Sequence, residues 1–294
     1  MPSLLFVGVD TANSFIHRAF PIWSRTLGVR AEVVGVDLPP GSAPREYRRV
    51  VERVRADPDC VGAVVTSHKV AVYAAASDLF DFLDPHAVAC GEISAIRRRG
   101  AGLAGFARDP VSVGRVVDGI WPGREGDLLC LGSGGTAIAL GRHLLTSTRP
   151  DGEPKLMRFV DVDPVAGVRL RQALRSDRVE AVRGEGPWDA TIEAARPGSL
   201  IVNATGLGKD RPGSPVTPAV QFPDGAVVWE LNYRGDLRLL AHARARRGDG
   251  RLTVHDGWSL FCHGWASALA AVFDLDDDEA VARRLAADAE HLRA

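Results

Sequence analysis

The sequence predicts two α/β domains: an N-terminal mixed α/β domain and a second domain built on a Rossmann-type, doubly wound parallel sheet. Three observations predict it. Short apolar runs alternate with longer amphipathic ones along the chain, the pattern of α/β units. Between residues 127 and 231 the apolar runs have helical stretches between most of them, which calls for parallel pairing. A glycine-rich turn joins the first of those runs to a helix. The length of 294 residues lies near the size at which one hydrophobic core gives way to two.

Taken in order, Leu4–Asp10 reads as a strand, followed by a helical stretch from Ser14 through Trp23 that Pro21 interrupts. Ala31–Val36 is a second strand, Pro44–Ala56 a charged amphipathic helix, Val61–Thr66 a third strand and Lys69–Phe82 a third helix. Ala87, Val88 and Ala89 read as core. Glu92–Arg98 and Leu103–Arg108 flank a Gly100/Gly102 turn as an antiparallel hairpin. The turn-rich stretch Trp121-Pro122-Gly123-Arg124-Glu125-Gly126 marks a change of composition. Beyond it, Asp127–Leu131, Leu156–Val160, Val179–Val182, Ser199–Asn203 and Val227–Leu231 are strands. A helix over Gly235–Arg247, a short strand at Leu252–Val254 and two helices, about Gly257–Phe273 and Asp277–Leu292, close the chain. The acidic run Asp274–Glu279 reads as the solvated N-cap region of the last helix.

Composition excludes several classes of function. Lys and Arg number 36 against 37 Asp and Glu, a net charge of −1 that offers no general attraction to nucleic acid or an anionic membrane. The apolar runs fall far short of the ~20 residues of a membrane helix, and no basic and apolar leader precedes Val7. Cys60, Cys90, Cys130 and Cys262 are scattered, without the spacing of a zinc site, and fit a reducing cytoplasm. No metal is expected, and a homodimer is the one macromolecular partnership left open.

Leu128-Leu129-Cys130-Leu131-Gly132-Ser133-Gly134-Gly135-Thr136-Ala137 sets glycines between a strand and a helix. There the backbone turns tightly, lets a pyrophosphate approach and offers it a helix N-terminus. A glycine turn alone is also common for geometric reasons. The next strand ends in Asp161 and Asp163, and an acidic side chain at that position bonds an adenosine ribose diol and repels a 2′-phosphate. The longer separation from Gly132 comes from a polar insertion, Thr146–Lys155. These features predict NAD rather than NADP; the alternative is that Asp161 or Asp163 caps the following helix.

Lys69 follows the third strand, Val64-Val65-Thr66-Ser67-His68, and Asp109 ends the hairpin strand Gly105-Phe106-Ala107-Arg108. A lysine at the C-terminal end of a parallel strand sits where ligands enter α/β folds. Desolvation is expected to bring its pKa toward neutrality, so that it takes a hydroxyl proton as hydride departs, with the carboxylate holding it in line. Taken singly, each residue is better read as a solvated surface charge, and spacing alone does not bring the two together.

The order of segments resembles the shikimate/quinate dehydrogenase family over nearly the whole chain. Gly62-Ala63-Val64-Val65-Thr66-Ser67-His68-Lys69 is similar to that family's GxNVTxPHK, one residue shorter; Gly91-Glu92-Ile93-Ser94-Ala95-Ile96 to GAVNTI; Gly105-Phe106-Ala107-Arg108-Asp109-Pro110 to GxNTDG. Gly132–Ala137 resembles the GAGGA turn, and Val202-Asn203-Ala204-Thr205-Gly206-Leu207-Gly208 the INATPxGM loop beside the nicotinamide. The resemblance implies a catalytic Lys69–Asp109 dyad. It implies a cofactor site of Gly132, Ser133, Gly134, Gly135, Thr136, Asp161, Asp163, Asn203, Thr205 and Gly206. It implies substrate contacts from Thr11, Asn13, Thr66, Ser94, Tyr233 and His263. Substrate would bind residues 1–110 with 255–294, the dinucleotide residues 111–254, and the reaction would take place in the cleft between them.

Departures from the pattern concentrate on the substrate. Thr11 and Asn13 replace the family's serines, Ser94 and Ala95 its Asn-Thr, Ala107 a further Asn and Gly264 a Gln, while Arg108, His263 and Trp265 are new. Each lost polar partner costs a cognate substrate about 1–3 kcal/mol, so the expected substrate is a polyhydroxylated carbocycle other than shikimate itself. His68 reads as a polar cap. His263 and Trp265, two apart on a helix, do not share a face; His263 is the one assigned to the substrate. Tyr233 serves equally as a pocket or a packed residue. A non-catalytic, dinucleotide-binding regulatory protein is the competing function.

Overall fold

Two six-stranded sheets organise the chain. The computed structural model describes residues 1–123, 126–147, 154–209, 212–246 and 252–292. The centre of the Trp121–Gly126 turn, most of the Thr146–Lys155 insertion and the Arg247 end of an expected helix lie outside the described residues. The chain divides into two units, Met1–Ser112 with Cys262–Ala294, and Val113–Phe261.

The first unit is mixed, as its sequence predicts. It contains β1 (Ser3–Gly8), α1 (Ile16–Leu27), β2 (Glu32–Asp37), α2 (Pro44–Ala56), β3 (Cys60–Val65), α3 (Lys69–Ala76), β4 (Phe82–Leu83), α4 (Pro85–Cys90), β5 (Ala95–Arg99), β6 (Gly102–Phe106) and the start of α5 (Asp109–Ile120). The strand order is β2-β1-β3-β5-β6-β4; β1 pairs parallel with β2 and β3, while β3–β5 and the β5–β6 hairpin are antiparallel. Leu5 and Val7 of β1, Val51 and Val54 of α2, Ala63 and Val65 of β3 and Ile96 of β5 share one core.

Several sequence expectations are corrected here. Pro21 does not interrupt α1, which continues to Leu27 and ends at Gly28 in the left-handed region, φ 68°. An interior proline costs a helix about 3 kcal/mol, but the buried face of Ile16, Ala19, Phe20 and Trp23 holds this one in place. The helix that opens at Lys69 stops at Ala76 instead of reaching Phe82. Asp84-Pro85 starts a new helix, in which the Asp84 carboxylate accepts the Ala87 N–H at 2.6 Å. That helix buries Ala87 but leaves Val88 59% exposed, so Val88 is not core. Asp109 does not end a strand: β6 stops at Phe106 and Asp109 opens α5.

The second unit contains β7 (Leu128–Leu131), α6 (Gly135–Thr146), β8 (Met157–Asp161), α7 (Pro164–Leu174), β9 (Val179–Arg183), α8 (Asp189–Glu193), β10 (Leu200–Asn203), β11 (Val227–Glu230), α9 (Arg238–Ala245) and β12 (Thr253–His255). Its sheet runs β12-β11-β10-β7-β8-β9 with every neighbouring pair parallel, the Rossmann-type arrangement the sequence predicts. β7, β10 and β11 are buried at every residue, as strands covered on both faces must be. Strand order reverses between β7 and β10, and such a switch point is where open α/β sheets take their ligands.

The chain closes with α10 (Trp258–Phe273) and α11 (Glu279–Ala289), and residues from Cys262 onward belong to the first unit. There the Trp23 indole donates to Leu285 O at 2.7 Å and the Thr26 hydroxyl to Asp288 at 2.7 Å. The acidic run is only partly a solvated cap. Asp278 does cap α11, accepting the Ala280 N–H at 2.8 Å. Asp274 instead pairs with Arg97 and Arg99, and Asp277, 18% exposed, pairs with Arg108. Among the described residues no helix is long and apolar enough to cross a membrane.

Candidate functional site

In the first unit, β3 delivers its C-terminal end to Thr66, and α3 begins at Lys69. The Lys69 ammonium donates to Asp109 Oδ2 as an ion pair, with the side chains 17% and 11% exposed. The fold thus joins the two residues that spacing alone could not. Burial alone would lower the Lys69 pKa, but the charges of Asp109 and Glu92, with the hydrogen bond to Asp109, outweigh it and raise the pKa above the ordinary lysine value. The expectation that desolvation brings Lys69 toward neutrality is therefore corrected: two carboxyl groups surround it.

Ser94 braces the segment that leads into Asp109. Its hydroxyl accepts the Arg108 N–H at 2.7 Å and donates to Phe106 O at 3.3 Å, which fixes the backbone leading into Asp109. Thr11 and Thr66 converge over Gly8, each 3.1 Å from the place a Cβ there would occupy. Thr66 Oγ1 donates to Val7 O at 3.2 Å. Asn13 is exposed, and its amide donates to the Asp10 carboxylate at 2.9 Å.

His68 is not a cap. Its ring is buried, with Nε2 at 2.8 Å from Leu38 O, a contact only an N–H satisfies, and Nδ1 at 3.4 Å from the Tyr47 hydroxyl. His263 and Trp265 are both buried on α10; Trp265 packs edge-on against Phe6 at 5.1 Å between ring centres. Arg108, at a position where the family pattern has Thr, is committed to Asp277, to Ser267 at 3.0 Å and to Asp84 at 3.8 Å.

In the second unit, Gly132 has φ 105°, and a Cβ there would stand 2.7 Å from Ala204 O. Only glycine lets the β7–α6 turn lie against the loop that follows β10. At Gly134 and Gly206 a Cβ would meet nothing within 4 Å, so the backbone around both is open. Gly134 precedes the first turn of α6, whose Gly135 and Thr136 present the helix N-terminus. Asp161 is tied to this turn: Oδ2 accepts from the Ser133 N–H at 2.8 Å and its hydroxyl at 2.9 Å, and Oδ1 accepts the Asp163 N–H at 3.0 Å. Asp163 caps α7, accepting the Val165 N–H at 2.9 Å.

The loop after β10 is held by a chain of hydrogen bonds. Asn203 Oδ1 accepts from Thr205 N–H at 3.1 Å and from its hydroxyl at 2.7 Å, while Asn203 Nδ2 donates to Glu230 Oε2 at 2.6 Å. Glu230 Oε1 accepts the Asn232 N–H at 2.9 Å, and the Asn232 amide donates to Leu207 O at 3.0 Å. Burial pushes the Glu230 pKa up to about 7 against the lowering effect of its donors. Tyr233 joins an aromatic cluster, its ring centre 4.4 Å from that of Phe261, with the Lys209 ammonium 5.9 Å above it. Among the described residues no group of His, Cys, Asp or Glu could hold a metal ion.

Sequence reasoning missed Glu92 and Glu230. Each carried a signal: a lone carboxylate inside an apolar segment, Gly91-Glu92-Ile93 in one case and Val228-Trp229-Glu230-Leu231 in the other.

No family model matches the chain. A curated shikimate dehydrogenase (NADP+) of Streptococcus gordonii is 28% identical over 158 residues, 52% of this chain and 53% of that protein, so the match spans about half the length of the relative. Solved structures match almost end to end. The shikimate 5-dehydrogenase of Thermus thermophilus in complex with NADP(H) and shikimate has a TM-score of 0.71 at 23% identity, over 98% of this chain and 100% of that one. The quinate dehydrogenase of Corynebacterium glutamicum in complex with NAD has a TM-score of 0.74 at 19% identity, over 99% of both chains. The resemblance drawn from the motifs thus extends to the fold: the chain is built as a shikimate/quinate dehydrogenase is.

Proposed function

We propose that the chain is a dinucleotide-dependent dehydrogenase that interconverts a secondary alcohol and a ketone on a small polyhydroxylated carbocycle. The observation that carries the reading is the Lys69–Asp109 ion pair, a sheltered acid–base pair at the C-terminal end of a parallel strand. The curated relative acts as a shikimate dehydrogenase, and the fold is shared with both shikimate and quinate dehydrogenases. The first unit takes the substrate, with Thr11, Asn13, Thr66, Ser94 and His263 as its candidate contacts. The second takes the dinucleotide, with its pyrophosphate on the α6 N-terminus.

The lysine is charged at rest, so it acts first as an acid. A bound dinucleotide would supply the hydride; in ketone reduction Lys69 gives a proton to the carbonyl oxygen, with Asp109 holding the lysine in place. Oxidation runs the same steps in reverse. The substrate differs from shikimate because Ser94, Ala107 and Gly264 are shorter than the family's residues, and Arg108 is occupied by its own carboxylates. NAD is favoured because the Asp161 carboxylate disfavours a 2′-phosphate; the curated relative uses NADP(+).

Purified protein assayed with NAD and NADP against quinate, shikimate and amino- or deoxy-substituted cyclitols tests the reading. Turnover of a cyclic polyol that is lost in Lys69→Ala supports it. Dinucleotide binding without turnover of any member of the panel would favour a regulatory protein.

A further inference from the structure

In a doubly wound sheet the ligand lies outside the C-terminal ends of the strands, so the residues that end the strands stand nearest to it. Of the six strands of the second unit, only β9 ends in a lysine or arginine, at Arg183. The parallel register sets Arg183 directly beside Asp161, the last residue of β8. Such neighbours lie about 4.8 Å apart and project to the same face of the sheet. The Gly184 N–H then donates to Asp161 O at 3.0 Å, so the chain leaves β9 at the level of the acidic residue.

Opposite charges set side by side would ordinarily pair, and these two do not. The Asp161 carboxylate turns to the glycine-rich turn, where Oδ2 accepts the Ser133 N–H and hydroxyl and Oδ1 accepts the Asp163 N–H. Among the described residues no hydrogen bond or ion pair holds the Arg183 side chain, which is exposed. Nearby arginines on the same layer are engaged: Arg158 pairs with Glu180 at 2.9 Å, and Arg171 donates to Ala181 O at 3.0 Å. Arg183 is the cation left over, and it stands beside the residue assigned to the adenosine ribose.

We infer that Arg183 is the seat of a 2′-phosphate, so that the chain takes NADP(H) as a second, weaker dinucleotide beside NAD(H). The inference rests on the dinucleotide reading of the second unit. A guanidinium suits a phosphate because its planar fork offers parallel N–H donors and a permanent charge. In NAD the ribose keeps a free hydroxyl, which suits the carboxylate and asks nothing of Arg183. In NADP the phosphate is repelled by Asp161 and drawn by Arg183. Glu185, two residues on and also exposed, adds to the repulsion, which keeps the unphosphorylated dinucleotide the tighter ligand. Preference is then a difference between two opposed charges and not an exclusion. No arginine follows Asp161 on its own strand, where Val162 and Asp163 stand, so the positive charge comes from the neighbouring strand.

Fluorescence titration with NADH and NADPH, and calorimetry with 5′-AMP and 2′,5′-ADP, test the proposal without any substrate. The native chain should bind both dinucleotides, NADH the more tightly. Arg183→Ala should weaken NADPH and 2′,5′-ADP by about tenfold or more, the loss of a charge-assisted pair, and leave NADH and 5′-AMP unchanged. Arg183→Lys, which keeps the charge without the fork, should recover part of that loss. The side chain is exposed and holds no other element, so the thermal midpoint should stay where it is, which separates the effect from a loss of folding. NADPH affinity indifferent to Arg183→Ala makes Arg183 a solvated charge on an edge strand and overturns the proposal. An equal loss for NADH and NADPH places the contact on the part that the two share and overturns it as well. So does a native chain that binds NADH and no NADPH. A chain that binds neither overturns the dinucleotide reading itself, and the role of Arg183 falls with it.

Discussion

The side-chain amide of Asn203 donates to the Glu230 carboxylate at 2.6 Å, and both residues are sealed from solvent, each 1% exposed. Through this bond, strand β11 fixes which way the amide points. The opposite face of the amide then accepts from Thr205, which holds the loop after β10 against Gly132.

Glu230 therefore makes stability depend on pH. Its folded pKa of about 7 lies above the ordinary 4.5, so the folded state binds the extra proton between those values. Its contribution is complete below pH ~4.5 and is lost as pH rises through about 7, a decline of about 3 kcal/mol from this group. Urea unfolding from pH 4.5 to 8 should show that decline in the native chain and a flatter dependence in Glu230→Gln. Parallel curves would place the proton elsewhere.

If Lys69 is the acid and base of the proposed reaction, its raised pKa should give the two directions opposite pH responses. Ketone reduction should stay level through neutral pH and fall only above the ordinary lysine range. Alcohol oxidation, which needs the free amine, should climb about tenfold per pH unit toward that range. Lys69→Ala and Asp109→Asn should each slow turnover by about 10²–10⁴-fold. Steady-state rates from pH 6 to 10 in both directions check this.

Asp161 holds the turn through Ser133, and the proposed function gives it the dinucleotide's ribose as well. Removing the carboxylate in Asp161→Ser should weaken NADH by about tenfold or more, the loss of a charge-assisted hydrogen bond, and erase the preference over NADPH. Fluorescence titration with both reduced dinucleotides reads the two effects. Tighter NADPH than NADH binding in the unaltered chain would overturn the role given to Asp161.

Arg108 holds the C-terminal segment. Its guanidinium is shared between Asp277, Ser267 and Asp84, with 16% of the side chain exposed. Arg108→Ala leaves two sheltered carboxylates without their cation, a loss of about 3 kcal/mol or more. Amide exchange in α11 should quicken before exchange in β1 or β3 does. Pairing Arg108→Met with Asp277→Leu should recover part of the loss.

The parallel sheet was legible because its strands are buried on both faces and read as unbroken apolar runs, such as Leu128–Leu131 and Leu200–Asn203. The Gly132 turn was legible because one backbone conformation there demands glycine. What stayed hidden was tertiary. Pro21 reads as a break, yet Trp23 and its buried neighbours carry the helix past it. Lys69 reads as a residue made less basic by burial, because the sequence gives no sign that Glu92 and Asp109 both reach it. Arg108 reads only as a departure from the family pattern, since its partner Asp277 is 169 positions away.

The bond from the Trp23 indole to Leu285 also dictates an order of assembly. On a ribosome, the stretch Val113–Phe261 emerges whole and can close its own core at once. Trp23, made before that stretch, must wait until α11 has followed it before the indole finds its acceptor. The earlier part is thus completed after the later one, and a ribosome that stalls within α11, short of Leu285, withholds that carbonyl from the indole.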